Sequence, residues 1–283
     1  MSREFVVPPR ATVQESYQLT KLCEEMEREE GAAVVDCRGT SMFGPLGVAL
    51  LASAIASRKR SGRTTSVLAP SDESCAEFIE EVGLARFALG TATGIGTLEV
   101  RQLLALDARY TEDVTRMVLR GVPGMDEDTS YPIQLCLNEL LQNVFEWSKS
   151  PVGCLVLARW YHRTRSVRLA VVDRGIGIPA ALRSKKVKGL HRASDASVIL
   201  AAVTTPRLTS RESQVGGLGL KTIHEIVSSR KGRLTIISLA AKVVFSAERQ
   251  ATYRAYPLRG TAIEIDFRPM TPVPDPHEYV EVF

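Results

Sequence analysis

The sequence contains no CxxC pair and no histidine at ligand spacing from a cysteine, so nothing in it points to a zinc centre. Its cysteines, Cys23, Cys37, Cys75, Cys136 and Cys154, are scattered, and four lie in apolar surroundings where a thiol packs as a small hydrophobe. Their odd number, together with the lack of a signal-peptide pattern, predicts reduced thiols in a cytoplasmic compartment. No apolar run reaches the roughly 20 residues needed to span a bilayer. The longest, MFGPLGVALLASAIAS (42–57), is broken by Gly44, Pro45 and Gly47 and reads as a buried helix, so no membrane partner is expected. An excess of one charge is also missing. The net charge is only +4, and no basic stripe alternates with aromatics, so no nucleic-acid partner is expected. There is no internal repeat.

What remains is a 283-residue chain, 45% apolar and 24% charged, with material for a sizeable core. Residues 1–10 read as a loose arm and 12–30 as a charged helix. GAAVVDCRG (31–39) and TTSVLA (64–69) read as strands, and 45–60 and 71–84 as helices. That alternation predicts a small α/β unit. Residues 90–110 are the expected joint, and GVPGMDEDTSYP (121–132) a turn-rich loop. Beyond it come a helix containing LNELLQNVFEWS (137–148), strands at 152–161 and 166–174, and a polar segment at 183–216 enclosing an apolar helix at about 195–204. A helix at 217–230 and three strands (RLTIISL, KVVFSAE, GTAIEIDF) follow, then a Pro-rich tail.

Three local patterns carry chemistry. Glu139 and Asn143 stand at i and i+4, so they share one face of an otherwise apolar helix. A solvated stripe would explain them, but a buried carboxylate there needs a partner, a metal or a reactive role. VVDRGIGIP (171–179) ends a strand in Asp173 and follows it with Gly175 and Gly177. This is either a capped turn or a place where a carboxylate accepts from an exocyclic amine while glycines admit a flat ring. VGGLGLKTIHEIV (215–227) places glycines at a helix start, where backbone N–H groups suit phosphate. It is not a Walker loop, since no GK[ST] follows, nor a dinucleotide fingerprint, since a polar run rather than a strand precedes it.

In this order, about 35–45 residues apart, and closed by a strand opening with Gly260-Thr261, the patterns resemble the GHKL superfamily of Bergerat-fold ATPases and kinases. The nearest type is the anti-sigma-factor serine kinase. The resemblance covers about 108–268 and implies an ATP site with Mg²⁺. Asn143 would hold the metal, and Asp173 would bind the adenine amine with Thr261 assisting through water. Gly175 and Gly177 would shape the adenine floor, and Gly217-Leu218-Gly219-Leu220 would cap the phosphates. Glu139 would be the general base.

Residues 34–87 more loosely resemble a STAS domain. The expected fold is therefore α/β (α+β), with a STAS-like unit over 1–107 (core about 31–90), a Bergerat-type α/β sandwich over 108–270 and a tail at 271–283.

The sequence departs from these families in places. Trp147 stands where many members carry His or Tyr, and none of the four histidines precedes the Glu139 helix, which argues against a histidine kinase. His224-Glu225 mimics an acceptor dipeptide but sits on the phosphate-side helix and reads as structural. Met42–Leu46 has no hydroxyl in the STAS acceptor slot, and Ser41 lies too early, so that unit is expected to serve as a docking surface. Arg183, Lys185, Lys186, Lys188 and Arg192, with Arg207, Thr209, Ser210 and Arg211, form either a solvated basic face or a phosphate- or partner-facing lid. Two functions follow: an ATP-dependent serine/threonine protein kinase or ATPase acting in partner switching, or a nucleotide-gated interaction module. Each implies a protein partner, STAS-like or regulatory, and allows a homodimer.

Overall fold

The computed structural model describes residues 2–91, 99–106, 109–113, 116, 127–164, 166–184, 189–205 and 219–268. Within them the chain is a mixed α/β protein of the α+β kind, with one parallel and one antiparallel principal sheet. No described helix is long and apolar enough to cross a membrane.

The first half builds the parallel sheet. Strand β1 (Ser2–Val6) runs parallel to β3 (Ala32–Asp36), which pairs with β5 (Thr65–Leu68). The expected loose arm is thus partly an edge strand, because burial of Phe5 and Val7 anchors it to the core. Two short strands, β2 (Arg10–Ala11) and β4 (Met42–Phe43), pair beside it. Helix α1 (Ser16–Arg28) buries Leu19, Leu22, Cys23 and Met26, an i, i+3, i+4, i+7 stripe. Helix α2 (Pro45–Arg60) is buried almost all round. Helices α3 (Glu73–Glu81), capped by Asp72, and α4 (Leu84–Leu89) complete this half.

The second half builds an antiparallel sheet of order β6-β7-β8-β10-β9, from β6 (Arg101–Leu103), β7 (Cys154–Tyr161), β8 (Ser166–Asp173), β9 (Arg233–Ser246) and β10 (Gln250–Phe267). Part of the expected joint is therefore an edge strand. RLTIISL and KVVFSAE are one strand rather than two, bent at Leu239, whose φ is +50°, and β10 begins ten residues before Gly260. Register shifts between Arg254, Leu258 and Thr261 absorb the bend. Helix α5 (Glu127–Asn143) starts inside the expected loop, carries Pro132 within it, and continues as a π-helical turn over Val144–Ser148. The short helix α6 (Ile178–Ser184) lies beyond the glycine loop, where no helix was expected. Helices α7 (Asp195–Thr204) and α8 (Gly219–Ser229) follow the expected positions.

Both faces of this sheet are covered, which is why its strands read as apolar runs. Cys154, Val156 and Ala158 of β7 join the core under α5, α7 and α8. The alternate residues Leu155 and Leu157 pack with α2 and the parallel-sheet half in a second continuous core. Each large side chain of α2 buried there contributes about 1.5–3 kcal/mol.

Polar groups also cross between the halves. Glu264 of β10, buried, accepts a 3.2 Å hydrogen bond from the Leu46 N–H at the start of α2, a helix with no side-chain cap of its own. Burial pushes the Glu264 carboxyl up to about 7, the Leu46 N–H partly opposing it. This is the stretch where the STAS resemblance puts its acceptor slot, and it is covered by the chain's own strand. Ser41 is tied to the Pro9 carbonyl instead.

Candidate functional site

The end of α5 lies over the ends of β8 and β10, and α6 closes the remaining side. Between them is a cleft with about 660 Å³ of space, part of it open to solvent. Its walls are mainly apolar, including Leu140, Val144, Val171, Ile178, Leu182 and Ile263. The polar groups that reach it are few: Asn143, Ser148, Asp173 and Thr261.

Asp173 is the last residue of β8, flanked in register by Cys154 and Thr261, and is 4% exposed. Burial pushes its carboxyl up to about 7, against the Gly175 N–H, the Arg174 charge and the Thr261 backbone. The Gly175 N–H donates to it at 2.7 Å. The glycine loop is strapped to the π-helical turn: the Ile176 N–H donates to the Ser148 carbonyl at 2.7 Å, and the Arg174 N–H to Ser150 Oγ at 3.1 Å. A Cβ on Gly175 would fall 1.9 Å from that Ser148 oxygen, so only glycine allows the approach. Gly177 has φ +80°, and a Cβ there would meet Ser238 Oγ at 2.7 Å.

Ser238 was not singled out from sequence, and the structure makes it the hub of the far wall. Its hydroxyl donates to the Gly260 carbonyl at 2.9 Å and accepts from the Ile178 N–H at 3.0 Å. Thr261 Oγ1 lies 3.1 Å away. With the Ser238 proton committed to Gly260, Thr261 is the donor of that pair, and its oxygen keeps acceptor capacity for the cleft. The available signal was a serine inside the apolar run LTIISL.

Asn143 lines the cleft, and its amide nitrogen is buried without a hydrogen-bond partner. Such an atom is costly to leave unpaired and marks a position for a ligand. Glu139, one turn earlier and 5% exposed, faces the start of α8, where its Oε2 accepts from the Gly219 N–H at 2.9 Å. The shared face expected of the pair is therefore split between cleft and helix start. Leu220 and Trp147 join the cleft wall. Gly217 and Leu218 lie outside the described residues, as do Lys185, Lys186, Lys188, Arg207, Thr209, Ser210, Arg211 and the tail from 269.

Two other sequence candidates fall elsewhere. Arg183 is tied to Asp195 at 2.8 Å and to the Ala193 carbonyl, and does not contribute to a free basic face. His224 packs 4.9 Å from the Phe245 ring, burial lowering its pKa, as a structural residue would.

Among the described residues no cluster of three His, Cys, Asp or Glu side chains could hold a metal by itself. A Mg²⁺ ion here would need ligands from elsewhere, as it commonly takes them from water and substrate phosphates. No family model matches the chain, and no curated protein matches it.

Proposed function

We propose that the chain is an ATP- and Mg²⁺-binding signalling protein of the GHKL type, with an ATPase or serine/threonine kinase activity that acts in partner switching. The observation that carries this reading is Asp173: a desolvated carboxyl at the edge of an apolar cleft, beside two glycines whose backbone must come close. A flat ring with an exocyclic amine answers both features, filling the cleft and donating to the carboxylate. Thr261 offers an acceptor beside it. Asn143, with its unpaired amide, is the residue that would reach a metal ion through its side-chain oxygen after an amide flip. Bound ATP would supply the transferable phosphoryl group, with Mg²⁺ offsetting its charge. Glu139 is the acceptor for a proton from water or a protein hydroxyl. Its five buried cysteines suit a reducing, cytoplasmic compartment.

The nucleotide-gated interaction module has one observation of its own: the Glu139 carboxylate is engaged by the Gly219 N–H rather than directed into the cleft. In either case the partner is a protein, STAS-like or regulatory, or a second copy of this chain.

Calorimetry with Mg²⁺-ATP on wild type and Asp173→Asn tests the reading. Micromolar binding lost in the variant supports it, and absence of binding by wild type removes it. Glu139→Gln then separates the two functions: retained affinity with lost turnover indicates an enzyme, and wild-type cellular function in that variant indicates the binding module.

A further inference from the structure

Arg58 and Arg174 are both fully buried, in opposite ways. All five N–H groups of Arg58 are bonded: to Thr65 Oγ1 and to the carbonyls of Met26, Glu29, Gly31 and Thr64. Its role is to close the ends of α1, β3 and β5, and the fold explains it. Arg174 reaches into the same half of the chain, where its Nη2 lies 3.0 Å from Glu24 Oε1 and also contacts Glu27 as ion pairs, while none of the three guanidinium nitrogens makes a well-directed hydrogen bond. A buried ion cluster left half satisfied contributes little or nothing to stability compared with apolar packing. Stability therefore does not account for it.

Its place in the chain does. Arg174 stands between Asp173 and Gly175, and the Glu24 carboxylate that holds it also accepts the Arg259 N–H at 3.1 Å, two residues before Thr261. One side chain of α1 thus grips both strand ends from behind the cleft. Glu27 adds a second carboxylate to the same guanidinium and faces Glu24 and Ser57 as well.

We propose that helix α1 supports the cleft from behind: Glu24, Glu27 and Arg174 are positioning residues that fix Asp173 and Thr261 relative to each other. The consequence for a ligand rests on the nucleotide reading above, but the control of Asp173 does not. The charged and titratable groups that face Asp173 are Arg174 beside it and Cys154 across the strand pair, with Gly175 and Thr261 as backbone donors. Arg174 in turn faces Glu24, Glu27 and Cys23 of α1.

The test is a carbon-13 NMR titration of the Asp173 carboxyl in the full chain, labelled at aspartate and assigned with Asp173→Asn. Glu27→Gln leaves the guanidinium less neutralised and should lower the Asp173 midpoint. The triple variant Arg174→Met/Glu24→Gln/Glu27→Gln removes the cation beside Asp173 together with two carboxylates that act on it only from behind the guanidinium, and should raise the midpoint by about one pH unit, with a smaller opposite shift in Glu27→Gln. ATP affinity at pH 7.5 should fall about threefold in the triple variant, as the ionised fraction of Asp173 drops. Both sets of substitutions change stability, but packing alone gives no reason for midpoints to move in opposite directions. Unmoved midpoints, or movement in the same direction, would overturn the proposal. Opposite shifts in a protein that takes no ATP would uphold the control of Asp173 and remove the nucleotide reading instead.

Discussion

Replacing Asp173 by Asn should make the ligand-free protein more stable at alkaline pH. The carboxyl moves from an ordinary 3.8 to about 7 in the folded chain because burial disfavours its charge. A carboxyl with a raised folded pKa contributes stability that is fully present below about pH 4 and is lost as pH rises through 7. Three units at about 1.4 kcal/mol each set a ceiling of about 4 kcal/mol on that loss. Asparagine keeps an oxygen for the Gly175 N–H and has no charge to bury. Thermal melts without nucleotide should therefore show the variant gaining on wild type between pH 5 and pH 8, by about 5 °C for a gain of about 2 kcal/mol. Glu264, shifted in the same direction, gives both proteins a common slope that cancels in the difference. On the proposed nucleotide reading, saturating Mg²⁺-ATP should reverse the order, since only wild type would gain binding energy. A variant that loses ground to wild type at pH 8 would refute the claim that Asp173 is held charged at a cost.

Other substitutions probe the walls of the cleft and the joint between the halves. Ser238→Ala strands the Ile178 N–H and the Gly260 carbonyl, and should cost about 1–3 kcal/mol in urea unfolding and weaken ATP binding. Gly177→Ala adds a methyl 2.7 Å from Ser238 Oγ at φ +80°, and should lose at least about 1 kcal/mol by the same measurement. Glu264→Ala leaves the Leu46 N–H at the start of α2 without its acceptor and should cost about 1–3 kcal/mol, whereas Glu264→Gln should be tolerated, with a flatter stability profile between pH 5 and 8.

Local signals were enough to place much of this architecture. Apolar stretches marked α2 and α7, a glycine-rich start marked α8, and the buried runs marked β3, β5, β7 and β8, because composition and spacing along one segment decide what it can bury. Asp173, Gly175 and Gly177 were legible as a candidate site because a carboxylate at a strand end followed by glycines is unusual within a few residues. Other features depend on partners far away in the chain. Nothing in SREFV says that it will find β3, and nothing in LTIISL says that Ser238 will hold Gly260. EEMEREE reads as a charged helical stretch, yet Glu24 is buried and Glu27 half-buried against Arg174, some 150 residues on. The sequence by itself determined the type of the most apolar elements and placed Asp173 at a strand end ahead of two glycines, which follow from short-range pattern and side-chain type. Only the tertiary structure decided that α1 and α2 cover the back of the antiparallel sheet, because burying both faces of a sheet is a choice among distant surfaces that no local pattern encodes.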